Sequence, residues 1–269
     1  MSADANKGAA APHAMGAAPG SSWYVTPEHV DMTRPAPAVR PMHLAAEPQA
    51  ITIDAAKTAL LIVDMQNDFC TEGGWLHSRG IDITPNRAPI APLRGLVDAF
   101  RAAALPVVWL NWGVRKDLLN IAPSLRHAHN PTGLETDLAR PVPNSRSEVI
   151  AAGSWGAEVV DELHPGAADI QIIKHRFSGF WDTETDSILR NLGITTLLIG
   201  GVNMDQCVMT TLEDASFLGY DTILIEDGTA TTSPAFCVEA TLYNVKLLFG
   251  FVTRAAAIHD GLAALEAGT

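Results

Sequence analysis

The chain is poor in cysteine, in basic charge and in long apolar runs. Only Cys70, Cys207 and Cys237 occur in 269 residues. An odd, sparse set without metal-type spacing excludes a disulfide framework and fits a reducing compartment. Lys and Arg total 18 against 30 Asp and Glu, giving a formal net charge of -12. No basic stripe is present to release counterions, so neither nucleic acid nor an anionic membrane is expected as a partner. A small anionic substrate is not excluded, because one local Arg or Lys can outweigh the global field. No apolar run approaches the roughly 18 residues of a membrane span. Residues 1–22 lack a charged segment followed by a continuous apolar one, so a signal peptide is not expected and a cytoplasmic location is.

What is present is a globular composition, 47% hydrophobic and 18% charged, in a chain long enough to bury a sizeable core. Residues 1–50 are dominated by Ala, Pro and Gly with weak periodicity. They read as an N-terminal extension, disordered over 1–20. Trp23, Tyr24, Val25 and Met42 give its later part apolar groups to pack on the domain or on a neighbouring subunit. Residues 51–269 alternate strand and helix signals and are expected to form one domain.

Thr58 to Asp64 is an unalternated apolar run ending in a carboxylate, as in a strand covered on both faces. Residues 88–104 carry Ile90, Leu93, Leu96, Val97 and Phe100 at helical spacing, and Leu105–Trp109 is strand-like. Residues 113–165 read as a long irregular region with a short helix near Ala157–Leu163. Strands follow at Ile170–Lys174, Thr196–Gly200 and Thr222–Glu226. Helices are expected over Thr185–Leu192, Gln206–Leu218, Pro234–Phe249 and Ala255–Ala267. This alternation predicts a three-layer α/β/α sandwich around a mostly parallel six-stranded sheet with right-handed crossovers. Ligands of such sheets bind beyond the carboxyl ends of the strands.

Asp64 and Lys174 close predicted strands, and Cys207 follows a third across a Gly pair, so all three side chains belong to one sheet edge. Each alone has an ordinary reading: a turn residue, a solvated strand end, a small buried hydrophobe. Together they supply a thiol nucleophile, a carboxylate to take its proton and an ammonium to hold the charges. A thiol in a helix's first turn also faces unpaired N–H groups and the positive end of the dipole, which favour thiolate.

Leu60-Leu61-Ile62-Val63-Asp64-Met65-Gln66-Asn67-Asp68-Phe69 resembles the segment around the catalytic aspartate of isochorismatase-like cysteine hydrolases. Gly201-Val202-Asn203-Met204-Asp205-Gln206-Cys207-Val208 resembles their nucleophile segment. Gly153-Ser154-Trp155, Phe177-Ser178-Gly179-Phe180 and Leu224-Ile225-Glu226-Asp227 look most similar to the ureidoacrylate amidohydrolases. The resemblance spans roughly residues 48–262. It implies an Asp64–Lys174–Cys207 triad that hydrolyses an amide-type C–N bond through a thioester-like intermediate. It also implies a cis peptide at Val202–Asn203, with the N–H groups of Asn203 and Cys207 forming an oxyanion hole.

Met204 stands where the family usually has threonine, and Asp205-Gln206 precede the thiol. Asp205 reads as a helix-start residue pointing away, with substrate contact by Asp205 or Gln206 open. The nicotinamidases of the superfamily bind a metal through an Asp-x-His…His cluster. The corresponding Asn111-Trp112-Gly113-Val114-Arg115-Lys116-Asp117 has no histidine, and His127 and His129 lack a third ligand, so no metal is expected. Without a Gly-rich phosphate loop, no nucleotide cofactor is expected either.

Asn67, Trp75, Asn111, Trp112, Arg115, Phe177 and Phe180 lie near the same strand ends and are the candidate substrate contacts. Amides and aromatics suit a flat ureido or carbamoyl group, and Arg115 suits a carboxylate. The expected substrate is a small ureido or carbamoyl amide, with ureidoacrylate first and biuret or N-carbamoylsarcosine next. Vinyl-ether hydrolysis in this superfamily does not use the cysteine, so Cys207 argues against it. A binding protein on a retained scaffold is the non-enzymatic alternative. The family's habit implies a homo-oligomer, dimer or tetramer, to which the apolar Val245–Val252 stretch could contribute.

Overall fold

Apolar runs buried on both faces build the centre of the molecule. The computed structural model describes residues 11–267. Its main sheet contains β1 (Ala46–Glu47), β2 (Thr58–Val63), β3 (Val107–Trp112), β4 (Ile170–Lys174), β5 (Thr196–Val202), β6 (Asp221–Ala230) and β7 (Phe251–Thr253). The spatial order is β1-β7-β6-β5-β2-β3-β4, and every pair is parallel except β1 on β7. Every residue of β2, β3 and β5 is buried, which is why these strands show no polar alternation.

The sheet therefore has seven strands rather than the expected six. Two strands fall outside the five segments placed from sequence: β7, and β1, which lies in the segment read as an extension and pairs through only two residues, Glu47 with Val252 and Ala46 with Thr253. Two residues are too few for periodicity to register. The same segment contributes Pro41–Leu44, which pairs antiparallel with Ile51–Asp54 and buries Met42 and Leu44. Residues 13–31 form a separate three-stranded antiparallel sheet with mostly exposed side chains.

Helices cover both faces. α1 (Ile90–Ala102) buries Ile90, Leu93, Leu96, Val97 and Phe100, a single stripe at i, i+3, i+4 spacing. Each such side chain contributes about 1.5–3 kcal/mol by leaving water. α1 packs beside α5 (Ala255–Ala267). α2 (Thr185–Asn191), α3 (Met209–Phe217) and α4 (Ala235–Asn244) follow crossovers of the opposite direction, which places them on the opposite face. Between strands β3 and β4 the short helix is Pro123–His129, not Ala157–Leu163. Pro123 pre-sets the first helical turn, whereas Val159 is held extended by a bridge to Gln66.

From β2 the chain moves outward through β3 to β4, then returns across β2 to build β5, β6 and β7 on the other side. The reversal lies between β2 and β5, where such sheets open a crevice. No described helix is long and apolar enough to cross a membrane.

Candidate active site

The reversal point is made tight by one glycine. Gly201, near the end of β5, has φ +117, and a Cβ there would stand 2.0 Å from the Val63 carbonyl oxygen. Only glycine lets the two strands approach this closely with this backbone. Asp64 follows Val63 at once and adopts φ +51, a left-handed conformation uncommon outside glycine. The chain thus turns sharply off β2 with the carboxylate at the strand end. On the neighbouring strand, the Val202–Asn203 peptide is cis, and a π-helical turn, Met204–Val208, carries Cys207 into α3.

Lys174 closes β4 two strands away, yet its long stem brings Nζ to 2.9 Å from Asp64 Oδ2. Lys174 is 0% exposed and Asp64 1% exposed, so the pair is wholly removed from water. Nζ also donates to the Arg176 carbonyl at 3.2 Å and sits 4.1 Å from the centre of the Trp112 ring. Asp64 Oδ1 accepts the Trp112 backbone N–H at 3.1 Å. The Trp112 indole N–H donates to Cys207 Sγ at 3.3 Å, and the Asp64 and Lys174 charges both act on the thiol. Asp64, Lys174 and Cys207 therefore converge, with Trp112 touching all three.

Burial raises the Asp64 carboxyl above the ordinary aspartate value, against the pull of Lys174. Burial likewise pushes the Cys207 thiol up to about 12, with Lys174 opposing and the Asp64 charge reinforcing it. Burial thus opposes the thiolate that the helix position favours. A helix terminus supplies about 0.3–2 kcal/mol, less than the cost of placing an anion in an apolar, water-poor site.

Beside the thiol lies a cavity of about 200 Å³, room for roughly six or seven waters at ~30 Å³ each and thus for a small molecule. Trp75, Trp112 and Phe177 line it with Asp64, Asn203, Gln206 and Cys207. The other candidate contacts lie elsewhere. Asn111 precedes Trp112 on β3 and by strand alternation faces the opposite side, lining a different depression. Asn67 donates to the Trp155 carbonyl at 2.9 Å. Arg115 is exposed and paired with Asp117 at 2.6 Å. Phe180 packs on Tyr220, ring centres 5.8 Å apart.

Sequence reasoning missed Phe69, Leu76, Ile81 and His129, all of which line the cavity. His129 sits in a segment read as irregular. The proline-initiated helix at Pro123 was the signal that fixed its direction. Asp68, fully buried, holds this wall in place: its carboxylate accepts the Trp75 N–H at 3.0 Å, the Ile150 N–H at 2.7 Å and the Ser147 hydroxyl. Among the described residues no group of three His, Cys, Asp or Glu side chains could hold a metal ion.

A buried thiol, carboxylate and ammonium at the crevice of a parallel sheet define a cysteine-hydrolase type of site. The isochorismatase domain model matches residues 58–257, and the chain belongs to the isochorismatase family. A cysteine hydrolase from Pseudomonas syringae pv. phaseolicola 1448A is 25% identical, with 79% of this chain and 95% of that one covered and a TM-score of 0.68. An isochorismatase family protein from Desulfovibrio vulgaris is 28% identical over 77% and 98%, TM-score 0.60. N-carbamoylsarcosine amidase from Thermoplasma acidophilum is 30% identical over 74% and 96%, TM-score 0.56.

Proposed function

We propose that this chain is a cofactor-independent cysteine amidohydrolase that cleaves a C–N bond of a small ureido or carbamoyl compound, ureidoacrylate-type first. The observation that carries the proposal is the convergence of Asp64, Lys174 and Cys207 beside a small cavity walled by aromatic rings. As Cys207 Sγ bonds to the substrate carbonyl carbon, its proton passes to Asp64. The oxygen, now an oxyanion, is received by the N–H groups of Asn203 and Cys207. Asp64 returns the proton to the nitrogen as the C–N bond breaks, then takes one from the water that resolves the acyl-enzyme. Lys174 keeps Asp64 ionised enough to act as base despite its burial.

The likeness to N-carbamoylsarcosine amidase supports an N-carbamoyl amino acid as the second reading, with biuret beside it. Ammonia release over a panel of ureides, carbamoyl amino acids, biuret and nicotinamide tests the substrate class. Folded Cys207→Ala and Asp64→Asn proteins should be inactive. Negligible turnover of every ureido compound overturns the substrate class, and near-normal turnover in Cys207→Ala overturns the mechanism. The reading includes self-association: Phe236, Tyr243, Leu247 and Leu248, on α4 and the π-helical turn after it, are 59–68% exposed and form an apolar face suited to a second copy.

A further inference from the structure

His129 is the one imidazole in the cavity wall, and the hydrogen-bond pattern fixes its tautomer. Its Nδ1 lies 2.8 Å from the Leu125 carbonyl oxygen. A carbonyl only accepts, so Nδ1 carries the proton and Nε2 presents a lone pair. Among the described residues no protein group donates to Nε2. The ring is stacked on Phe177, centres 5.7 Å apart at 12°, and lies 5.3 Å from the Trp75 ring at 31°. Trp112, whose indole N–H reaches Cys207, stands edge-on at 5.9 Å. An imidazole clamped between two aromatic faces has little rotational freedom, so its acceptor direction is preorganised. Burial lowers its basicity against the Leu125 carbonyl hydrogen bond, with the Lys174 and Arg79 charges adding to burial and Asp137 opposing it.

Resting on the amidohydrolase reading above, we propose that His129 is a specificity residue, its Nε2 accepting a hydrogen bond from an N–H that the substrate carries beyond the carbonyl attacked by Cys207. Such an N–H is what distinguishes a ureide from a simple carboxamide. Asp64, Asn203, Gln206, Cys207 and Thr232 share the wall with rings and aliphatic groups; unlike the rotatable amides of Asn203 and Gln206, the clamped ring is a fixed acceptor that discriminates by chemistry rather than size. A substrate with a methylene at that place leaves the acceptor unpaired, and the penalty falls on the wrong compound.

The test uses N-carbamoylglycine and succinamic acid, which differ by N–H against CH₂, bound to the Cys207→Ala protein so that no turnover intervenes. The Kd ratio of the two should favour the ureide, and His129→Phe, which keeps the stacking, should shrink that preference about 10- to 100-fold. His129→Gln, which restores an acceptor, should recover part of it. Comparing the ratio across variants cancels any intrinsic difference between the two ligands. An unchanged ratio in His129→Phe overturns the proposal, as does failure of both compounds to bind at tens of millimolar. Absence of ureide turnover by the unmodified protein with the ratio still shifted by His129→Phe would instead overturn the amidohydrolase reading and leave the role of His129 standing.

Discussion

Replacing Lys174 with Met should cost as much stability as a large aliphatic truncation in the core, and the cost should grow with pH. The ammonium lies 2.9 Å from Asp64 Oδ2, and neither residue is more than 1% exposed. Removing one member of such a pair strands the other charge, a loss of about 3–5 kcal/mol. In a chain of this size that is roughly 6–20 °C in Tm, at about 2–4 °C per kcal/mol. The sign of the pH effect follows from Asp64. Its pKa is already raised by burial, and loss of Lys174 raises it further. A group whose folded pKa lies above its unfolded value binds more protons when folded. Its contribution is complete below the unfolded pKa, near 3.8, and disappears as pH rises through the folded value. The deficit of Lys174→Met relative to wild type should therefore be small near pH 4 and widen toward pH 8, by up to about 1.4 kcal/mol per pH unit. Adding Asp64→Asn should return much of the stability, flatten the pH dependence and leave the protein inactive. Denaturant unfolding of the wild type and the two variants at several pH values is the assay. A deficit under about 1 kcal/mol at pH 8, one that does not change with pH, or a double variant no more stable than the single at pH 8 would refute the reasoning.

Three further outcomes follow from the same geometry. Gly201→Ala puts a methyl into the Val63 carbonyl at a φ that L-residues avoid, and strain plus overpacking should cost about 2–6 kcal/mol, read as a lowered denaturant midpoint. The acid limb of kcat/KM should lie above pH 3.8 because burial raises Asp64 and the base must be ionised; a limb at or below the ordinary aspartate value would contradict it. Leu248→Glu, in the apolar face after α4, should shift the protein toward a smaller species in light scattering without loss of far-UV signal, and an unchanged mass would remove that face from the interface.

The sheet was legible because its strands are buried on both faces, so β2 and β5 stand out as apolar runs of strand length. Asp64 was legible because it is the polar residue that closes such a run, and Lys174 because it closes a short edge strand of alternating burial; parallel strands bring those ends to one edge. The cavity wall was less so. Taking β3 to end at Trp109 hid the alternation that turns Trp112 toward the thiol and Asn111 away from it. Arg115 looked free as a carboxylate anchor, although Asp117, two residues on, occupies it. His129 depends on a seven-residue helix in a Pro- and Gly-rich region, where local pattern is weakest. The opposition to a thiolate was hidden for a different reason: helix position is written in sequence, but the depth of burial that works against it is a property of the assembled fold.

Trp112 offers one more consequence. Its indole N–H meets the sulfur at 3.3 Å while its face carries the Lys174 ammonium at 4.1 Å. A single chromophore is thus coupled to the thiol at one end and to a fixed cation at the other. Acylation or alkylation of the sulfur changes the electric field across that ring without moving the fold. Trp112 is thus placed to report on the state of the sulfur: alkylation of Cys207 should change the emission, and Trp112→Phe should erase that change.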